Sequence, residues 1–210
     1  MPESILEINS TERLFAFDEE AANIGQKQLA GIDEAGRGPL AGPVVAAAVI
    51  FLRRSPLCKL NDSKKLRPRL REALFAEITQ HALVGVGVVS EQLIEEINIY
   101  QATRLAMKRA VMSLSRSPEY ILVDGTMTLD LPVPQKAVVK GDQKSASVAA
   151  ASIVAKVFRD AWMVHLDELY PEYGFKTHKG YPTRHHLKCL GRNGPSPVHR
   201  KTFGPVRRLL

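Results

Sequence analysis

Asp33 and Glu34 stand side by side at the head of GIDEAGRGPLAGPVVAAAVI, residues 31–50. Two more aspartates, Asp124 and Asp142, each adjoin a glycine, in LVDG and KGDQ. All three acidic points close a short apolar run that reads as a strand, and ligand sites in sheets with interleaved helices lie outside strand ends. Carboxylates that converge there repel one another unless cations sit between them. Oxygen donors suit Mg²⁺ or Mn²⁺, and the chain has no Cys/His cluster of the kind that suggests zinc. Two such ions serve in-line displacement at phosphorus, one activating the attacking water and the other stabilising the leaving oxygen. A single Asp-Gly is also an ordinary turn, and whether the three points meet depends on strand order.

The loop after the acid pair holds Gly36, Gly38 and Gly42 with Arg37 among them. Its G-x-G-x-x-x-G spacing is one residue longer than the dinucleotide fingerprint, a strand follows rather than a helix, and no G-K-S/T is present, so Rossmann and P-loop readings fail on context. Glycines beside carboxylates instead let the backbone approach a flat polar ligand such as a sugar–phosphate chain.

These groups need a scaffold. Residues 29–32 and Val44–Phe51 are apolar runs, predicted to be strands joined by a tight glycine turn. Successive strand side chains face opposite ways, so Asp33 and Glu34 can share a site only if the chain bends or bulges at Glu34. Further strands are predicted at 82–89, 119–123 and 136–140. Leu70, Leu74 and Ile78 predict a helix over 69–81; Ile99, Thr103, Ala106 and Ala110 predict one near 97–115, with Ser90 as a cap. A long helix is predicted over 147–169, its buried stripe being Val148, Ala151, Ala155, Phe158, Trp162, Leu166 and Leu169, with Pro171 and Gly174 ending it. Short helices are predicted at 183–190 and 205–210. The interleaving predicts an α/β fold with a mixed sheet.

Charge is unevenly distributed. The net charge is +7, yet residues 1–175 carry 20 basic and 22 acidic side chains, while 176–210 carry nine Lys or Arg, no acid and four of the six histidines. A basic segment beside an acidic site points to a polyanion, most simply nucleic acid. Tyr181, Pro182 and Phe203 within it favour an ordered segment over a solubilising tail. His178, His185 and His186 suit phosphate contacts or structural roles better than metal ligation, and Asp160 suits an ion pair with a neighbouring base. No apolar run has the length of a membrane span, the acidic N-terminus is unlike a signal peptide, and Cys58 and Cys189 read as free thiols in a reducing cytosol.

The blocks GIDEAGRGPLAGPVVAAAVI, DSKKL, LVDG, KGDQKSASVAAASIVAKVFRD, HKGYPTRHH and GPSPVHRKTFGPV resemble ribonuclease HII, in the order of that family, over roughly residues 30–206. The resemblance implies a ribonuclease H-like central mixed sheet flanked by helices, with a small helical C-terminal part. It divides the chain into a variable extension (1–28), a catalytic core (29–170) and a basic segment (171–210) that packs on the core and binds substrate. It implies a divalent-metal-dependent endonuclease that cleaves the RNA strand of RNA–DNA hybrids. Duplex DNA with single embedded ribonucleotides is also cut, 5′ of the ribonucleotide, giving 3′-hydroxyl and 5′-phosphate ends. The metal-binding and catalytic carboxylates fall on Asp33, Glu34, Asp124 and Asp142, with Mg²⁺ or Mn²⁺ as cofactor. Gly36, Arg37 and Gly38 fall on the loop that contacts the ribose 2′-hydroxyl and its phosphates, and Tyr181 on the junction-sensing tyrosine. Lys64 is a candidate phosphate contact. A cytoplasmic monomer with no membrane association is expected. The alternatives are a related nuclease or transferase acting on DNA, separated by an all-DNA duplex, and a non-catalytic hybrid-binding module, which gains nothing from acids facing phosphates.

Overall fold

The run VVAAAVIF has no polar face to offer to water, so it belongs in the middle of a covered sheet. In the computed structural model, which describes residues 10–21, 28–52, 60 and 67–210, it forms β2 (Val44–Phe51). β2 pairs antiparallel with β1 (Leu29–Ala35) on one side and with β3 (Ala82–Val89) on the other. β1 pairs parallel with β4 (Tyr120–Asp124), and β4 pairs parallel with β5 (Gln135–Val138), giving the order β3-β2-β1-β4-β5.

Alternation along β2 sends Ala46, Ala48 and Ile50 to one face, where Ala102, Ala106 and Ala110 of α3 (Glu91–Met112) cover them. Ala47 and Val49 meet Ala150, Ile153 and Val154 of α4 (Ala146–Leu169) on the other face. Outside α4, α1 (Ser10–Ala21) contributes Leu14 and Phe15, and α2 (Pro68–His81) contributes Leu74 and Ile78 to the same cluster. The C-terminal segment adds α5 (Phe175–His178), α6 (Arg184–Asn193) and α7 (Gly204–Arg207). Its Tyr173, Phe175, Leu190 and Val206 close over Leu40 and Ala41 and over Met163 and Leu166 of α4. Among the described residues no helix is long and apolar enough to cross a membrane.

The expected mixed α/β sheet is present, with differences in detail. The β1–β2 connection is an eight-residue loop, 36–43, rather than a tight turn. β1 runs through to Ala35 with Glu34 paired to Ala46, so the bend expected at Glu34 is absent; the two carboxylates are nevertheless close enough at the strand end for the Glu34 charge to act on Asp33, and the requirement for a bend is corrected. α3 begins at its Ser90 cap and kinks at Asn98, whose side chain caps the second part by accepting from the Tyr100 and Gln101 amides. Leu70 is exposed, and Arg71 takes its place on the buried face of α2. In α4 the stripe turns by one residue: Phe158, Trp162 and Leu169 are exposed while Arg159, Met163 and Asp167 are buried. The reason is a change of partner, since the first half of α4 lies on the sheet and the second half on loop 36–43 and the C-terminal helices.

Small residues at the start of α4 permit a close approach at Gly31, where an added Cβ would lie 2.1 Å from the Ser147 carbonyl carbon. Neither backbone can yield without breaking the sheet or the helix. Gly31→Ala is therefore expected to lower stability by about 3 kcal/mol or more, the upper end of overpacking effects. Urea unfolding checks this, and a variant as stable as the parent would contradict the packing described.

Candidate active site

Parallel pairing aligns the ends of β1 and β4. Gly31 is level with Leu122 and Ile32 with Val123, so the next pair along is Asp33 and Asp124. Gly31 meets α4 at Ser147 and Val148, and Leu122 packs on Val148, so two residues on both aspartates face α4 as well. β5 places Val138 level with Asp124; the chain then turns through Lys140, in the left-handed region at φ 57°, into Gly141-Asp142. The Gly141 amide donates to Asp124 Oδ1 at 2.6 Å, tying the end of β5 to the end of β4. All three sequence-predicted acidic points thus stand at neighbouring strand ends.

Asp33 is buried, and its carboxyl is held well above the ordinary range by that burial, then by the charges of Glu34 and Asp124; Ser152 of α4 and the Glu34 amide offset this in part. The amide contact is 2.7 Å long. Asp142 is buried in its turn. Glu34 reaches the surface and pairs with Arg37 at 3.3 Å. Among the described residues no group of three or more His, Cys, Asp or Glu is arranged so that it could hold a metal ion unaided. The donors fit a hard cation all the same: they are oxygens, two are adjacent and mutually repulsive, and Mg²⁺ is commonly held by one or two carboxylates together with substrate phosphate.

At Glu34 opens a pocket of about 350 Å³, lined also by Gly36, Arg37 and Gly38 of the loop, by Tyr181, by Arg71 of α2 and by Ser152 and Lys156 of α4. The sequence-predicted loop and tyrosine therefore meet, with Tyr181 41% exposed rather than in the core. Lys64 and the rest of DSKKL lie outside the described residues.

Two residues that the sequence reading passed over hold loop 36–43. Arg200 is fully buried and donates to the carbonyls of Gly36 (2.7 Å), Arg37 (3.1 Å), Pro39 (2.8 Å) and Gly42 (2.9 and 2.7 Å). Arg159, also fully buried, donates to Pro43 (3.0 Å), Ala41 (3.2 Å) and Lys179 (3.0 Å). Burial lowers the two guanidinium pKa values to about 9 and about 10, and both groups stay charged at neutral pH. A planar trans peptide points its C=O and the following N–H in opposite directions. With the Gly36 and Arg37 carbonyls aimed at Arg200, the N–H groups of Arg37 and Gly38 point away from it. Gly36, at φ 100°, could not carry a side chain here, since a Cβ would lie 2.1 Å from Arg159 Nε.

Tyr181 is fixed by histidines. The Ser196 amide donates to His199 Nδ1 (3.0 Å), so His199 carries its proton on Nε2 and donates to His186 Nε2 (3.0 Å). His186 then donates from Nδ1 to the Tyr181 carbonyl (2.9 Å). His178 accepts from the Gly180 amide (3.2 Å) and donates to the Tyr173 carbonyl (2.8 Å). These three imidazoles are thus structural and neutral; His185, on the surface of α6, lies 3.6 Å from Cys189 Sγ. Burial, first of all causes, lowers His186 and His199 to about 4 from 6.5. The unfolded chain therefore binds more protons between pH 6.5 and 4, and the stability these groups contribute at neutral pH is lost as the pH falls through that window. The stability gap between the protein and His199→Gln is expected to narrow across it, because other titrating groups cancel in the difference; urea unfolding at pH 7, 5.5 and 4.5 measures this. A constant gap would contradict the neutral relay. Asp160, expected to pair with a base, accepts from Lys156 (2.6 Å) and Arg71 (3.4 Å).

The family profile for ribonuclease HII matches residues 30–206. A protein named Ribonuclease HII from Geobacillus kaustophilus (strain HTA426) is 53% identical over 200 residues, covering 95% of this chain and 76% of that protein. Among solved structures, ribonuclease H2 from Pyrococcus horikoshii OT3 is similar with a TM-score of 0.73 at 28% identity, covering 87% of this chain and 96% of that one. A chain of the PCNA:RNase HII complex from Archaeoglobus fulgidus gives a TM-score of 0.71 at 31% identity, over 84% of this chain and 95% of that one.

Proposed function

The chain belongs to the ribonuclease HII family, and we propose that it incises duplex DNA on the 5′ side of single embedded ribonucleotides, as well as cutting longer hybrids, to leave 3′-hydroxyl and 5′-phosphate ends. Membership makes it a nuclease acting on RNA–DNA hybrids, built on the ribonuclease H-like fold. The observation that carries the finer reading is the order β1-β4-β5, which brings the acids to one edge beside a pocket lined by the glycine loop and Tyr181.

Asp33, Glu34, Asp124 and Asp142 would hold Mg²⁺ or Mn²⁺, and such a cation supplies Lewis acidity at the scissile phosphate and a more acidic water. The chain's own residues do the rest. The Arg37 and Gly38 amides, turned away from Arg200, donate to the ribose 2′-hydroxyl and its phosphate; that hydroxyl is what separates RNA from DNA. Arg37, exposed and paired with Glu34, moves to phosphate when substrate arrives and leaves the Glu34 carboxylate to the cation. Tyr181 stacks on the sugar of the next nucleotide, and a deoxyribose presents it with the more apolar face. Residues 171–210 supply the positive field for the duplex, and the enzyme works as a monomer in the cytoplasm.

Tyr181→Ala is expected to lose about 1–3 kcal/mol of stacking, roughly 5- to 150-fold in cleavage at a single ribonucleotide, with a smaller loss on a uniform hybrid. Tyr181→Phe retains most of the activity. Single-turnover cleavage of a duplex with one ribonucleotide, with the ends mapped, tests the reading. A cut on the 3′ side, or equal losses for both variants on both substrates, would contradict it.

A further inference from the structure

The α2 and α4 residues that line the pocket are not used by the chemistry above. Lys156 lies one turn beyond Ser152 on α4, and Ser152 is bonded to Asp33. The rise between them is about 6 Å, of the order of the distance between successive phosphates along an extended strand. Arg71, brought by α2, lines the same pocket. Asp160 grips both, Lys156 Nζ at 2.6 Å and Arg71 Nη1 at 3.4 Å, and the side chains are 21% and 10% exposed. The pocket lining thus sets Arg37, Arg71 and Lys156 against Glu34. A clamp whose sole task was to join α2 to α4 could be buried away from the pocket; this one ends in it. Burial lowers the Lys156 pKa, offset by Asp160, so the ammonium is incompletely solvated where an anion would compensate it.

We propose that Lys156, backed by Arg71 and oriented by Asp160, seats a backbone phosphate of the substrate strand next to the one that is cut. This deepens the reading of the same site as a hybrid nuclease and rests on it. The seat is a point-charge contact, as suits lysine, and it fixes how far the strand has advanced past the carboxylates.

The test is hybrid binding and cleavage by the full chain, by Lys156→Gln and by Lys156→Arg, over a salt series. Urea unfolding confirms that each variant is folded. Lys156→Gln is expected to weaken binding about tenfold and to reduce the log–log salt slope by about 0.7–0.9, the share of one phosphate, while Lys156→Arg keeps the parent slope. A scan with single neutral methylphosphonates should find one linkage, adjacent to the cut, whose neutralisation weakens the parent but adds nothing to Lys156→Gln. An unchanged slope, or additive losses at every linkage, overturns the seat while parent cleavage in the same assay upholds the nuclease. A parent that cuts no hybrid overturns both.

Discussion

Asp124→Asn is expected to abolish hydrolysis of an RNA–DNA hybrid while hybrid binding stays within a few-fold of the parent. The amide oxygen of Asn can still accept from the Gly141 N–H, so the tie between β4 and β5 survives. What is lost is the charge that, on the proposed reading, attracts the cation together with Asp33. Cation stabilisation of the transition state is worth several kcal/mol, so the rate should fall by about a thousandfold or more. Asp33→Asn should be equally inactive but more stable than the parent, because it removes a buried charge that repels two neighbours. Residual rates, binding isotherms and urea midpoints on both variants check these statements together. A near-normal rate for either would remove these carboxylates from the chemistry.

Arg200→Lys is expected to be the most damaging substitution outside the acids. Lysine keeps the charge, but its ammonium cannot span the four carbonyls that the guanidinium bridges. Buried carbonyls left without donors cost about 1–3 kcal/mol each; with partial relaxation, a net loss of about 3 kcal/mol is expected. The loop would also lose the orientation that turns the Arg37 and Gly38 amides outward. Cleavage of ribonucleotide-containing duplex should fall at least tenfold, even at temperatures where the variant is fully folded. Arg192→Lys, on the surface of α6, serves as the control and should change neither quantity. Parent-like stability and cleavage in Arg200→Lys would contradict the role given to the guanidinium.

The acids, the glycine loop and Tyr181 were legible in the sequence because each carries a local signal: a strand ending in Asp, glycines in a row, an aromatic set between Gly180 and Pro182. The strands and longer helices were legible from their periodicity. Convergence of the acids was not, because the parallel pairing of β1 with β4 joins segments about ninety residues apart and leaves no periodicity in either. Nor were Arg159 and Arg200. Arginine is expected at the surface, and all but one of their partners, the Lys179 carbonyl, are backbone carbonyls more than a hundred residues away, for which side-chain identity gives no cue. The same blindness explains the stripe on α4, where Phe158 and Trp162 seemed the natural core and Arg159 and Met163 occupy it.

The carboxylate set at the ends of β1, β4 and β5 is proposed to make this chain a divalent-cation-dependent nuclease for RNA paired with DNA. Single-turnover cleavage of a uniform RNA–DNA hybrid and the matching all-DNA duplex, in Mg²⁺ and in excess chelator, tests it most directly. The expected result is cleavage of the RNA strand in Mg²⁺, none in chelator with recovery when Mg²⁺ is restored, and no cleavage of the all-DNA duplex in either. Cleavage of the hybrid that persists in chelator, or equal cleavage of the all-DNA duplex, would contradict it.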